Sequence, residues 1–68
     1  MKISARNNLR GRIVDVVKGA TTAHVRIDIG GAVVTAAITN EAVDELALKA
    51  GGAVIVVVKA SDVMIAVD

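Results

Sequence analysis

The chain contains no cysteine, no proline and no aromatic residue, and it has one histidine among its 68 residues. The lack of Cys excludes disulfides and thiolate sites, and a lone His with dispersed carboxylates has no ligand spacing typical of a metal site. A chain this short buries only about 60% of the surface that its unfolded form exposes, so it needs reinforcement. Oligomerisation is the remaining means of providing it.

The apolar residues support the same inference. They make up 54% of the chain, yet none is aromatic, so Val, Ala, Ile and Leu supply most of the apolar surface. Aromatic side chains normally provide the largest buried area per residue. Much of this aliphatic surface must therefore be covered by a partner, and we predict an obligate oligomer.

Several classes of function are disfavoured by what is missing. No nucleophile, base and orienting group can be assigned as a set, so we expect no enzymatic activity. Nucleic-acid binding by a small barrel relies on aromatic stacking and a cationic groove, whereas this chain has no aromatic residue and a net charge of +1. The longest uncharged stretch, residues 29–40, has 12 residues, and a membrane-spanning helix needs roughly 18. Without an apolar leader or Cys, we expect the cytoplasm.

The hydrophobic pattern predicts a mainly β fold. Runs of β-branched residues, alternation at a period of two, and glycine pairs predict five strands, and a stretch with acidic residues near its start predicts one helix. The strands are a long first strand containing residues 13–17, then residues 23–29, 32–39, 54–58 and 63–67; the helix runs from Asn40 to near Lys49, with Thr39 or Asn40 as N-cap. This order matches a five-stranded OB-like Greek-key barrel with a helix between strands three and four. The alternative is a simple antiparallel sheet packed on one helix.

Two polar segments combine a cation with small donors. They are residues 4–8, which include Ser4 and Arg6, and residues 59–62, which include Lys59 and Ser61. A tetrahedral dianion removed from water requires several N–H and O–H donors and a positive charge. These segments suit such an ion, although the same residues are also typical of solvated strand ends. His24 is similarly open to two interpretations, a half-exposed strand residue or a donor to a bound anion.

The string Ile3-Ser4-Ala5-Arg6-Asn7 and the close Val57-Val58-Lys59-Ala60-Ser61-Asp62-Val63-Met64-Ile65 resemble the molybdate-binding Mop domain, a TOBE/OB-like domain. The resemblance runs from end to end, and the length is that of the free-standing molbindins. It implies one Mop domain over residues 1–68 and a homohexamer arranged as a trimer of dimers. It also implies molybdate or tungstate bound at subunit interfaces, for intracellular molybdenum storage or homeostasis, without an organic cofactor.

The resemblance also assigns candidate site residues. The molybdate site would contain Ser4, Ala5, Arg6, Thr39, Lys59, Ala60 and Ser61. A second anion site would contain Gly19, Thr21, Thr22 and His24. The chain departs from the family at Asn8, where Gln is common, and at Ala42, where a hydroxyl residue is frequent; the amides at the helix N-terminus could compensate for the missing hydroxyl.

Two other functions stay open at this point. The chain could be a structural or partner-binding OB module in which the polar segments only solvate strand ends. Nucleic-acid binding is the third hypothesis, although this chain lacks the aromatic stacking residues that such proteins use.

Overall fold

The computed structural model describes all residues from Met1 to Asp68. Four strands form one antiparallel sheet in the order β3-β2-β1-β4. In chain order the elements are β1 (Asn7–Lys18), β2 (Thr22–Asp28), β3 (Val33–Thr39), α1 (Asn40–Glu45), β4 (Ala53–Val58) and a 3-10 turn (Ala60–Asp62). The mainly β prediction with one short helix after the third strand is confirmed.

Strand β1 organises the sheet because it pairs with β4 along its first half and with β2 along its second. The change of partner falls at Gly11 and Arg12, the latter lying opposite both Asp28 and Ala53. A Cβ on Gly11 would lie 2.5 Å from the Asp28 carbonyl oxygen, so only glycine permits this approach. A bulge follows at residues 13–15 and increases the local bend. The sheet therefore curls into a half-barrel.

The core lies on the concave face of this sheet, where alternate residues of β1 and β2 point inward. Ile13, Val25 and Ile27 pack there with Ala23 and with Val43 of α1. Only six of the 68 residues are buried. Ten apolar residues, contributed by β2, β3, β4 and the segment after α1, line a trough that stays open to solvent. The chain thus assembles one side of a core without closing it.

Helix α1 begins where the sequence predicts, but it ends before the predicted residue. The Thr39 hydroxyl oxygen accepts a hydrogen bond from the Ala42 amide at 3.0 Å, which confirms Thr39 as the N-cap. The helix stops at Glu45 rather than near Lys49, because Ala47 adopts a positive φ of 51° and donates to Asp44 in a tightened last turn. No helix of the structure is long and apolar enough to cross a membrane.

The predicted fifth strand is wrong for the single chain, and the barrel has four strands rather than five. After β4 the 3-10 turn redirects the backbone, and residues 63–67 pair with neither edge of the sheet. Val63, Ile65 and Val67 are 49%, 86% and 91% exposed. Their apolar pattern is suited to a strand, but a strand forms only beside a free edge, and this chain does not bring its own edge to that segment.

Candidate functional site

The first group of candidate residues lies where β1 begins and β4 ends. Asn7 is opposite Val58 in the antiparallel register, so the residues just outside this pair, Arg6 and Lys59, emerge side by side. The Asn7 side-chain amide donates to the Val58 carbonyl at 3.2 Å and fixes the two strand ends together. The fold therefore brings residues 4–6 and residues 59–61 to one edge.

The cations of this group are free to interact with a ligand. Arg6 and Lys59 form no ion pair within the chain, whereas Lys18 is bonded to Asp44 and Arg26 to Asp15. Ser4 and Ser61 are exposed beside them, while Ala5 between Ser4 and Arg6 is buried and anchors the segment. An unpaired cation flanked by hydroxyl donors favours an anion.

Backbone donors add to this edge. The 3-10 turn is closed by the Asp62 amide, which donates to the Lys59 carbonyl at 2.9 Å. The amides of Ala60 and Ser61 precede that first bond and have no acceptor in the turn. They are available to a ligand that binds beside Lys59.

Thr39 does not join this group within one chain. It pairs with Thr22, next to the Lys18 end of β1, whereas Arg6 and Lys59 flank the opposite end of that 12-residue strand. Because the Thr39 oxygen accepts from the Ala42 amide, its hydroxyl proton remains available to a ligand. Within one chain, the predicted molybdate-site residues are therefore divided between the two ends of β1.

The second group of candidates does come together. Gly19, Thr22 and His24 line a shallow depression together with Val17 and Lys18. Thr21 is outside this lining, but its carbonyl accepts a hydrogen bond from the Asn40 amide.

Lys18 also lines this depression, although it was not predicted as a site residue. The signal for it was its position immediately before the glycine of the turn. Its ammonium lies 2.6 Å from the Asp44 carboxylate, so its charge is partly compensated by α1.

The two departures from the family pattern have different consequences. Asn8 lies on the convex face of β1 opposite Val57, is exposed, and makes no side-chain hydrogen bond. The Ala42 amide is already bonded to Thr39, so this amide does not substitute for a hydroxyl at the start of the helix.

An ion pair links Arg26 and Asp15 on the convex face. The Arg26 guanidinium donates to both carboxylate oxygens of Asp15, at 2.6 Å and 3.2 Å to Oδ2 and 3.0 Å to Oδ1. These hydrogen bonds, with the attraction of the charges, hold the pKa of Asp15 below its ordinary 3.8 against the opposing effect of desolvation. No group of three or more metal-ligating side chains occurs in the structure.

The curled antiparallel sheet, the single short helix and the edge rich in free donors define a small OB-like β protein. The TOBE domain model matches residues 3–65, and the chain belongs to this family.

The similar proteins extend along nearly the whole chain. Molybdenum-pterin-binding protein 2 of Clostridium pasteurianum is 47% identical over 66 residues, which cover 96% of this chain and 97% of that protein. The structure of MopII from Clostridium pasteurianum has a TM-score of 0.89 at 45% identity, covering 97% of this chain and all of that one. A molybdate binding protein from Sporomusa ovata has a TM-score of 0.93 at 38% identity, over 97% and 98% of the two chains.

Proposed function

We propose that this chain binds molybdate or tungstate and holds it in store, without catalysing a reaction. The observation that carries the proposal is the edge where Arg6 and Lys59, both without a carboxylate partner, meet across the β1–β4 ladder. The hydroxyl and amide donors of residues 4–6 and 59–61 surround them. A tetrahedral dianion uses such a set of neutral and cationic donors, and the names of the similar proteins refer to molybdenum or molybdate.

The bound species is the bare oxyanion under this proposal. The names of several relatives mention a pterin, but a pterin ring is usually held by stacking, and this chain has no aromatic side chain. Molybdate and tungstate have the same charge and shape, so the donors suit both. Sulfate is smaller, and discrimination against it depends on the dimensions of the closed site.

We further propose that the site is completed by assembly, as a homohexamer arranged as a trimer of dimers. Thr39 of one copy would then join residues 4–6 and 59–61 of another. The open trough and the exposed residues 63–67 support this, because each copy has an uncovered apolar face and a detached apolar segment. Residues 1–68 would act as one binding domain in the cytoplasm.

A second class of anion site is proposed at the depression that contains Gly19, Thr22 and His24, with Thr21 in the same turn. Lys18 contributes a nearby positive charge there. The residues that line this depression are mostly polar, whereas those that line the trough are all apolar. The depression lies beside Thr39, because Thr22 pairs with Thr39 in the sheet.

Equilibrium dialysis of the purified protein against molybdate, tungstate, sulfate and phosphate tests the proposal. We expect molybdate and tungstate to be retained and sulfate and phosphate to be lost, and a parallel dialysis with a pterin should show no retention. Retention of none of the four anions would overturn the proposal and leave the chain as a structural or partner-binding OB module. Retention of the pterin alone would overturn it equally.

A further inference from the structure

Asn40 joins helix α1 to the turn between β1 and β2 through two hydrogen bonds. Its side-chain Nδ2 donates to the Gly19 carbonyl at 3.0 Å, and its backbone amide donates to the Thr21 carbonyl at 2.9 Å. The turn is closed by the Gly19 amide, which donates to the Thr22 carbonyl at 2.7 Å. The turn that carries the second group of candidate residues is therefore held from outside by one residue.

The side-chain oxygen of Asn40 shows that this contact has an energetic cost. Asn40 Oδ1 is buried and has no hydrogen-bond donor within the chain. An acceptor buried without a partner is unfavourable, so the hydrogen bond from Nδ2 to Gly19 holds the amide in place against this cost. Rotating the amide would not help, because Oδ1 would then face the Gly19 carbonyl, which is also an acceptor.

We propose that Asn40 is a positioning residue for the second anion site. This inference rests on the proposed function. Asn40 touches no anion itself; it fixes the backbone of residues 19–22, whose donors and side chains would contact the ion. A turn that is already ordered loses less conformational freedom when the ion binds, so the ion binds more tightly.

Asn40→Leu tests this role, because leucine has nearly the same size and removes both the donor and the unpartnered acceptor. Thr35→Leu is the control, since Thr35 is exposed on β3, makes no side-chain hydrogen bond and belongs to neither group of candidate residues. Should Asn40→Leu fail to fold, Asn40→Ser replaces it; serine is favoured at helix starts and is too short to reach Gly19.

Hydrogen exchange of the assembled protein, measured with and without molybdate, reports on the two sites separately. In the wild type and in Thr35→Leu we expect molybdate to protect the amides of residues 18–24 and of residues 59–61. In Asn40→Leu, protection of residues 18–24 should require a molybdate concentration about fivefold higher, since one positioning hydrogen bond is lost. Protection of residues 59–61 should not change, and a general loss of structure would not produce that selective result.

Three outcomes would overturn the proposal in distinguishable ways. Equal protection of residues 18–24 in Asn40→Leu and the wild type would reject the role of Asn40 and leave the proposed function intact. Protection of residues 59–61 alone in the wild type would show that the second site does not exist. No molybdate-dependent protection anywhere in the wild type would reject both proposals together.

Discussion

Arg6 and Lys59 carry positive charges that no carboxylate of the chain neutralises, and their proximity leads to the first prediction. Arg6→Ala and Lys59→Ala should each weaken molybdate binding by about 1.5–3 kcal/mol, the range for a hydrogen bond to a charged group. Equilibrium dialysis of each variant measures the change, and the oligomer should persist in both.

Lys49→Ala is the matched control for these variants. Lys49 is also an exposed lysine without an ion pair, but it lies in the connection between α1 and β4, at the opposite end of β4 from Lys59. Its removal should leave the affinity for molybdate unchanged. Wild-type affinity in both Arg6→Ala and Lys59→Ala would place the ion elsewhere.

The proximity of these two residues could not be predicted from the local sequence. The hydrogen bond between Asn7 and Val58 joins positions 51 residues apart, and no periodicity encodes which strands become neighbours. The chemistry of each segment was evident from its Ser, Arg and Lys, whereas their combination depended on the resemblance to a family. The separation of Thr39 from Arg6 and Lys59 could not be predicted either, because it results from the register of β1 with its partner strands β2 and β4.

Among the elements, β1 and β2 are joined on the convex face by the ion pair of Asp15 and Arg26, which sits directly beside the bulge. The native pKa of Asp15 lies below the ordinary value of 3.8. A carboxylate with a lowered native pKa stabilises the fold fully above its unfolded pKa, and this contribution is lost as the pH falls through the native one. Above that range the pair is fully charged.

Asp15→Asn should therefore lower the free energy of unfolding near neutral pH, and the difference from the wild type should shrink below a pH of 3.8. Urea unfolding from neutral pH down to about pH 2 measures this. Glu45→Gln is the control, because Glu45 is exposed and unpaired and its replacement should have little effect. A wild-type advantage that is independent of pH would show that the carboxylate acts through packing.

Elements whose signals are local were predicted well, and those that depend on pairing were not. Alternation identified β2, and the glycines at 30 and 31, with φ of 91° and 96°, form the hairpin that their pairing indicates. The early end of α1 was missed because it depends on the left-handed conformation of Ala47, which alanine rarely adopts. The apolar residues 63–67 have the composition of a strand, yet composition does not specify an edge to pair with.

The whole molecule exposes a large apolar surface and buries only a small core. Thirteen large hydrophobic side chains are exposed, three of them in the open trough, and only six residues are buried. Burying apolar surface is worth roughly 25 cal/mol per Å², so association of several copies gains stability that the single chain lacks. In an extended conformation Val63, Ile65 and Val67 would present one apolar face, which could cover the trough of a second copy in the assembly proposed above.

Ile65→Asp distinguishes a covered segment from a solvated one. Ile65 is 86% exposed in the single chain, so an aspartate there would be harmless if the chain stayed alone. If residues 63–67 pack on another copy, the substitution forces a charge into an apolar contact, which is strongly unfavourable. We expect Ile65→Asp to sediment as smaller species than the wild type and to lose molybdate retention with them, while Ile65→Leu keeps the assembly. An unchanged sedimentation coefficient in Ile65→Asp would show that residues 63–67 are not covered by another copy. A wild type that sediments as a folded monomer would show that each copy is stable by itself, and the division of the anion site between copies would then have to be abandoned.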